Sequence, residues 1–387
     1  MKTINQNIFI FLLGLVAASC VERYFPDTET NFQPKLVVQA IIAADDGLQE
    51  IVISKSTSVD ETKLVTLSGC SVVVEDSGEH RFTFNEAGKT GCYRGYLEGS
   101  AVVVGNKYRL RLKTPEGKEY VSRFEKLMPC PDVSFVYYEV QTQPTPDKEV
   151  NKNGLQFYID YKGDDNYGRF YRWELTQTYE YHSTWPLDKW LDVDGPHDLI
   201  RPDYSNYTCY KTDKLDDIFV LSTDGFAQNR FTKYKLHFVP DQTQVLQYRY
   251  NLLVRQYSLT QSAFNYWENL KKNNQEAANL FGRQPANVKG NILNVNDTTE
   301  VVLGYFGVSV VKSKRVRVDP VPGLRFNKLN KCRAAKQDGP LPDARPIYFA
   351  EDYDVDGNSY MGIAGADCIF CQMFGGTTQK PTYWDEK

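Results

Sequence analysis

The sequence is poor in the side chains on which much enzyme chemistry depends. Its 387 residues include only 4 histidines. Histidine is the usual general base and metal ligand near neutral pH, so its scarcity argues against metalloenzymes and against nucleophilic catalysis that relies on histidine. The sequence also lacks a GxSxG nucleophile elbow, a P-loop, an HExxH motif and a glycine-rich dinucleotide fingerprint after a strand. We therefore predict that the protein is not an enzyme and uses no cofactor.

Positive charge is not in excess either. The chain carries 45 Lys and Arg against 49 Asp and Glu, which gives a formal net charge of −4. Proteins that bind the phosphate backbone usually carry a clear positive surplus, so we expect no nucleic-acid partner. Aromatic residues, in contrast, are abundant, with 26 Tyr, 21 Phe and 5 Trp. Tyr and Phe favour half-buried, pleated surfaces, so the composition predicts a mainly β fold.

Long apolar stretches are missing apart from residues 8–18 (IFIFLLGLVAA). A membrane-spanning helix needs about 20 apolar residues, so this run suits the core of a signal peptide. Small residues follow it up to Cys20, an order that resembles the bacterial lipobox, in which the cysteine becomes the acylated N-terminus. We predict a signal peptide over residues 1–19, and a lipidated Cys20 with a polar tether over residues 20–34. A plain secretory signal with an incidental cysteine is the alternative.

The pattern after the tether predicts an immunoglobulin-like β-sandwich over residues 35–128. Residues 35–43 are apolar and β-branched, and residues 48–55 alternate between apolar and polar, with turn residues between them. Five further short segments of this kind follow before residue 125. Seven short strands without a helical period are typical of a sandwich.

A larger β-rich domain with one amphipathic helix is predicted over residues 129–387. The boundary falls at Pro129 and Pro131, because proline is excluded from central strands. Apolar residues at three- and four-residue spacing predict the helix near residues 260–275, with Thr260 as its N-cap. We expect the apolar stripe of this helix to pack on a sheet. About the last 65 residues are rich in Pro and Gly and predict Cys-containing loops that wrap the body.

Seven cysteines follow Cys20. An exported protein meets an oxidising space in which disulfides form, and an odd number leaves at least one thiol unpaired. Cys70 and Cys92 both fall in the predicted first domain, and we predict a disulfide between them.

The late cysteines form a second group. Cys368 and Cys371 have CxxC spacing, but one CxxC without a second pair is a weak zinc signature, and it lacks the βαβ setting of a redox site. We therefore expect a structural disulfide here rather than zinc or redox catalysis. Cys332, Cys368 and Cys371 can join each other or Cys209.

One aromatic stretch is a candidate contact surface. Residues 178–198 combine aromatic side chains with many turn-forming residues, which predicts a loop. Tyr179, Tyr181, Trp185 and Trp190 in such a loop could stack on a sugar or a peptide, or contact a partner protein. The alternative is a loop whose aromatic rings fold back on the body.

An acidic segment offers a weak calcium candidate. Asp352, Asp354 and Asp356 precede Gly357 in a D-x-D-x-D-G pattern, and hard cations prefer several oxygen ligands on a tight turn. The twelfth position of an EF-hand loop would be Ile363 rather than Glu, which removes the bidentate ligand. We therefore predict a solvated acidic turn and no metal site.

Taken in order, several segments resemble the Bacteroidota outer-membrane lipoproteins of the domain-of-unknown-function family four-two-four-nine. Besides Cys20 these segments are residues 34–43 (PKLVVQAIIA), 48–56 (LQEIVISKS), 262–275 (SAFNYWENLKKNNQ), 290–297 (GNILNVND), 300–309 (EVVLGYFGVS) and 368–384 (CIFCQMFGGTTQKPTYW). The resemblance covers nearly the whole mature chain. It implies no activity and no catalytic residues, because the family has none assigned.

The resemblance implies a role beside a transporter. Similar surface lipoproteins often accompany TonB-dependent outer-membrane transporters, which implies an accessory or ligand-binding partner anchored to the outer membrane by its lipid. An envelope structural or assembly factor that acts through protein contacts is one alternative, and an unrecognised hydrolase is a second. The acidic cluster that marks surface export is reduced here to Glu22 and Asp27, with Arg23 between them, so the periplasmic and surface faces both stay open.

The lipid anchor leads to a direct prediction. Cys20→Ala should move the protein out of the membrane fraction, because several acyl chains on one residue supply the anchoring free energy, about 0.8 kcal/mol for each buried methylene. Fractionation followed by mass spectrometry of the N-terminus measures this. Unchanged fractionation of the variant would contradict the anchor.

Overall fold

Nearly all of the regular structure is β-strand, which confirms the mainly β prediction. A computed structural model describes residues 33–44, 47–57, 65–96, 102–144, 151–277, 288–326, 332–337 and 339–386. The predicted signal peptide and Cys20 lie outside the described residues. Within these ranges, no helix is long and apolar enough to cross a membrane.

The described residues form 23 strands and one α-helix. The strands are β1 (Leu36–Ala43), β2 (Leu48–Lys55), β3 (Val65–Thr66), β4 (Ser71–Asp76), β5 (Arg81–Glu86), β6 (Cys92–Tyr96), β7 (Lys107–Lys113), β8 (Glu119–Ser122), β9 (Glu125–Lys126), β10 (Phe135–Pro144), β11 (Asn151–Lys162), β12 (Phe170–His182), β13 (Leu187–Asp192), β14 (Gly195–Asp203), β15 (Thr208–Ser222), β16 (Arg230–Pro240), β17 (Tyr250–Leu259), β18 (Ile292–Asn294), β19 (Leu303–Ser309), β20 (Val311–Val318), β21 (Ala335–Lys336), β22 (Ile347–Tyr353) and β23 (Ser359–Ala364). The helix is α1 (Gln261–Ala277).

The first nine strands belong to one mixed sheet of eleven strands, which we call the large sheet. Its order is β18-β8-β7-β4-β5-β6-β2-β1-β19, with β3 beside β2 and β9 beside β7. The sheet curls around one hydrophobic core until its two ends come close to each other. The predicted immunoglobulin-like sandwich is therefore not confirmed. An alternating pattern shows which side of a strand faces inward, but it does not show whether a sheet curls or pairs with a second sheet.

The two ends of the large sheet come from residues 292–309, so the sheet extends beyond the predicted boundary at residue 128. Strand β19 pairs in parallel with β1, and Val38 lies opposite Gly304. A Cβ built on Gly304, whose φ is +92°, would lie 1.9 Å from the Val38 carbonyl oxygen, and one on Gly290 would lie 1.6 Å from the Gly304 carbonyl oxygen. Only glycine fits at these two crossings. The side chain of Asn291 then bonds both backbone polar groups of Phe306, at 2.9 and 2.8 Å, and so bridges the two ends.

The second body is a pair of sheets that share one core. The three-stranded sheet β10-β11-β16 packs against the four-stranded sheet β15-β12-β17-β20. Aromatic rings fill the space between them, as in the contact of Phe157 with Tyr250, whose centroids are 5.6 Å apart. Strands β19 and β20 are separated by Val310 alone, so the chain passes directly from the large sheet into this pair.

Helix α1 confirms the helical period predicted near residues 260–275. The Thr260 hydroxyl oxygen accepts a hydrogen bond from the Ala263 amide at 3.2 Å, which is the predicted N-cap. Ala263 and Phe264 are buried against Tyr257 of β17 and Tyr305 of β19. The helix therefore packs where the two bodies meet.

Two segments that were predicted as loops form a further sheet instead. Strands β13 and β14, within and just after the aromatic stretch, join β22, β23 and β21 in the order β14-β13-β22-β23-β21. Strand β14 (GPHDLIRPD) carries polar residues on both faces, and β22 (IYFAEDY) changes from apolar to acidic half-way, so neither shows the apolar alternation by which a strand is recognised.

The late cysteines attach this sheet to the body. Cys209 of β15 bonds Cys371, and Cys332 bonds Cys368. The interpretation in which these cysteines join each other and Cys209 is confirmed. The CxxC pair itself forms no internal bond, because each member bonds a cysteine elsewhere in the chain.

The predicted bridge between Cys70 and Cys92 is not formed, and both residues are free thiols. Cys70 immediately precedes β4 and Cys92 begins β6, and β5 lies between these two strands. Two strand spacings amount to about 10 Å, whereas a disulfide joins Cα atoms at most about 7 Å apart. The location of two cysteines in one predicted domain was therefore not sufficient to predict a disulfide between them.

Glu125 connects the large sheet to the helix and to the closing strands. It is 3% exposed. Its carboxylate accepts hydrogen bonds from Tyr305 at 2.6 Å, Thr260 at 2.5 Å and Ser262 at 3.0 Å, and from Asn291 at 3.3 Å. Four donors from three segments thus converge on one acceptor.

We predict that Glu125→Gln lowers the free energy of unfolding by about 2–3 kcal/mol, because the amide turns one acceptor into a donor and leaves buried donors unpaired. Urea denaturation monitored by circular dichroism measures the change. Glu119→Gln, at an exposed ion pair with Lys113, is the matched control and should change stability by less than about 1 kcal/mol. Equal effects of the two substitutions would contradict the role of Glu125.

Candidate functional site

A cleft of about 640 Å³ opens where the large sheet, the four-stranded sheet and α1 meet. We call it the junction cleft. One wall comes from β1 and β2 and combines the apolar residues Ile41 and Val52 with Gln39 and Glu50. The opposite wall comes from the outer face of β12, β15 and β17, and α1 covers one side with Trp267 and Leu270.

The charged wall follows from the period of strand β12. Tyr171 and Trp173 point into the core between the two sheets, and both are 0% exposed. Because side chains alternate along a strand, Arg172 and Glu174 lie side by side on the opposite face. That face is covered by α1 rather than by water, so the side chains of Arg172 and Glu174 are only 9% and 15% exposed.

Arg172 lies between a carboxylate and an aromatic ring. Its Nη2 donates to Glu174 Oε1 at 2.6 Å, and the guanidinium carbon lies 3.8 Å from the centroid of the Trp267 ring. Arg172 Nε and Trp267 Nε1 are both buried, and neither has a hydrogen-bond partner among the described residues. Buried donors without partners are rare, and each costs roughly 1–3 kcal/mol.

Glu174 is held as an anion. Burial alone would raise its pKa, but the charges of Arg172 and Lys214 and the hydrogen bond from Tyr257 outweigh burial and lower the pKa to about 2. Lys214 Nζ lies 3.3 Å from Oε1, and the Tyr257 hydroxyl donates to Oε2 at 2.7 Å. The Glu174 carboxylate therefore contacts two cationic side chains and one hydroxyl group.

A second carboxylate, Glu50, lines the cleft from β2. Hydrogen bonds from the Cys92 thiol and from Arg94 lower its pKa, and Arg94 Nη2 lies 2.9 Å from its Oε2. Among the described residues that line the cleft there is no histidine, serine or cysteine. The arrangement can bind and orient a charged molecule.

The family of the chain follows from its sequence. The sequence model described as Domain of unknown function (DUF4249) matches residues 21–315, which is more than half of the 387 residues. The chain belongs to the DUF4249 family. No curated protein matches it.

The part of the DUF4249 protein that matches the family contains the whole junction cleft, whose lining runs from Val38 to Tyr305. It also contains the closing glycines, Gly290 and Gly304. The match ends at residue 315, within β20, so the sheet made partly by β21, β22 and β23 draws on residues beyond it.

In the DUF4249 protein, the four predicted aromatic contact residues lie in two different environments. Tyr179 and Tyr181 belong to β12 and are core residues, 6% and 1% exposed, because they continue its inward-facing alternation. They therefore do not offer a contact surface. Trp185 packs against the small core of the C-terminal sheet, and Trp190 stacks on His197 with centroids 4.6 Å apart. A contact role for these two partly buried rings stays a prediction.

In the DUF4249 protein, Asp354 and Asp356 lie in the turn between β22 and β23, whereas Asp352 belongs to β22 and is buried rather than solvated as predicted. Asp352 accepts from the Ala334 amide at 3.0 Å, and Asp354 accepts from the amides of Asp356 and Asn358 at 3.1 and 2.9 Å. These carboxylates are thus occupied by the backbone. In the described part of the chain, no three His, Cys, Asp or Glu side chains come together so that they could hold a metal ion.

The prediction from the sequence missed the charged residues of the cleft. A signal was present, because residues 171–175 (YRWEL) alternate large apolar side chains with one arginine and one glutamate. An alternating pattern predicts a strand with one buried face and one face exposed to solvent. Arg172 and Glu174 were therefore taken for ordinary exposed residues. Only the position of α1 over this face shows that they are buried.

The lowered pKa of Glu174 predicts a specific acid sensitivity. An ionised Glu174 contributes stability above its ordinary pKa of 4.5, and this contribution is lost as the pH falls towards about 2. Between pH 6 and pH 2 the wild type should lose roughly 3 kcal/mol more than Glu174→Gln. Urea denaturation at each pH measures the difference. Glu268→Gln, which removes the exposed ion pair with Lys272, is the control. Parallel pH profiles of wild type and Glu174→Gln would contradict the prediction.

Proposed function

We propose that this DUF4249 protein is a non-enzymatic, lipid-anchored protein of the outer membrane that binds a ligand in the junction cleft, as an accessory to a TonB-dependent transporter. The observation that carries the proposal is the charged and aromatic wall around Arg172, which is buried and contains donors that have no partner in the described part of the chain. Concave sites with a few convergent polar groups on an otherwise apolar surface are the usual form of a binding pocket.

The carboxylates favour binding over hydrolysis. A glycosidase-type site needs one carboxyl group with a raised pKa, so that it can donate a proton. Both carboxylates of the cleft, Glu50 and Glu174, have lowered pKa values. The pair is therefore suited to fixing cationic side chains rather than to acid catalysis.

The envelope location rests on the N-terminal sequence. The lipobox-like order before Cys20 supports lipid anchoring, and the polar residues that follow suit a tether that holds the folded body away from the bilayer. The resemblance to Bacteroidota lipoproteins supports the transporter as partner. An assembly role in the envelope is the competing proposal.

Pull-down from detergent-solubilised envelopes, followed by mass spectrometry, tests the partner. We expect the wild type to enrich a TonB-dependent transporter. Enrichment of an envelope assembly machine instead would favour the competing proposal, and enrichment of neither would contradict the accessory role. Cys20→Ala, expressed at the same level, is the control for membrane context and should enrich the transporter less.

A further inference from the structure

We infer that the junction cleft binds a small amphiphilic carboxylate, with its anionic group at Arg172 and Lys214 and its apolar body against β1, β2 and α1. This inference deepens the proposed function and rests on it. Three independent features of the cleft carry the inference: its charge, its unpartnered donors and the state of its aromatic rings.

The charge of the cleft favours an anion. Three cationic side chains line it, Arg172, Lys214 and Arg255, against the two carboxylates Glu50 and Glu174. Glu50 is already paired with Arg94, which lies outside the lining. Arg172 and Lys214 share the single carboxylate of Glu174, so a positive surplus remains at this part of the wall.

The donors need an acceptor. Arg172 is 8% exposed, yet its Nε has no acceptor among the described residues, and the same holds for Trp267 Nε1 beside it. Glutamate, aspartate and backbone carbonyls satisfy such donors in most protein interiors. Lys214 is 63% exposed on its side chain, so it can turn from Glu174 towards an incoming anion. A carboxylate has two acceptor oxygens, which suits a site with several donors and one shared anion.

The aromatic rings disfavour a carbohydrate. Sugars stack on free ring faces, but the Trp267 ring is covered by the Arg172 guanidinium, and Tyr266 stacks on Tyr305 with centroids 4.8 Å apart. The accessible lining is about half apolar, and its apolar part includes Leu48, which is 48% exposed. An apolar chain or ring fits this surface, and the volume of about 640 Å³ lies in the range of small-molecule sites.

Matched pairs of acids and alcohols test the inference. Octanoate and 3-phenylpropionate are compared with 1-octanol and 3-phenylpropanol by calorimetric titration of the full mature chain in lipid nanodiscs, with empty nanodiscs subtracted. We expect the acids to bind at least about tenfold more tightly than the alcohols, as one charge-assisted contact in a partly buried site provides. Lys214→Met should reduce this preference severalfold, because one of the two cations that hold the anion is lost from a side chain that is 63% exposed.

Two further variants give the result its specificity. Arg249 lies over the Trp384 ring, 5.9 Å from its centroid and outside the cleft lining, so Arg249→Met is the matched control and should keep the wild-type preference. Gln39 is an exposed residue of the lining, and Gln39→Trp should fill the cleft and weaken the binding of acids and alcohols alike.

The outcomes separate the inference from the proposed function. Equal binding of acids and alcohols that Gln39→Trp abolishes would overturn the anionic ligand and leave a binding role in place. An acid preference of unchanged size in Lys214→Met also overturns the inference. If no probe binds at 1 mM or below, the amphiphilic carboxylate is rejected, while the transporter pull-down still decides the accessory role on its own.

Discussion

The parallel pairing of β1 with β19 is the constraint on which the rest of the architecture depends. It joins residues about 265 positions apart in the chain, as in the pair Val37 and Leu303. The pairing is possible because Gly304 and Gly290 allow backbones to approach more closely than any side chain would permit. Since β19 continues through Val310 into β20, the same contact that closes the large sheet also fixes it against the two packed sheets. The junction cleft exists because these two bodies are held at this position.

The buried charges at the cleft are hard to explain by stability alone. Taking an arginine and a glutamate out of water costs several kcal/mol, and apolar side chains of similar volume often give an equally stable core. If this face of the sheet only supported the fold, apolar side chains could replace Arg172 and Glu174. Their position at the wall of a cleft, with Trp267 stacked on the guanidinium, is the arrangement that the proposed binding role requires. Glu125, in contrast, is surrounded by protein donors and has a structural role.

The sequence predicted local structure well and long-range structure poorly. The bounds of β2 agree with the predicted strand, and the helix with its Thr260 cap was found from spacing alone. These features depend on neighbours in the chain. The closure of the large sheet, the pairing of Cys209 with Cys371 and the cover that α1 places over Arg172 depend on distant residues, and one sequence contains no direct record of such contacts. Tyr179 and Tyr181 illustrate the same limit, because their burial follows from the sheet that β12 joins.

The disulfide between Cys209 and Cys371 closes a covalent loop with a sequence separation of 162 residues. If a protease cleaves any peptide bond inside that loop, the two fragments remain one molecule until a reductant opens the bridge. The C-terminal sheet is thus retained by a covalent bond and does not depend only on its small apolar core, which contains Ala334, Ala350, Ala364 and Ile369.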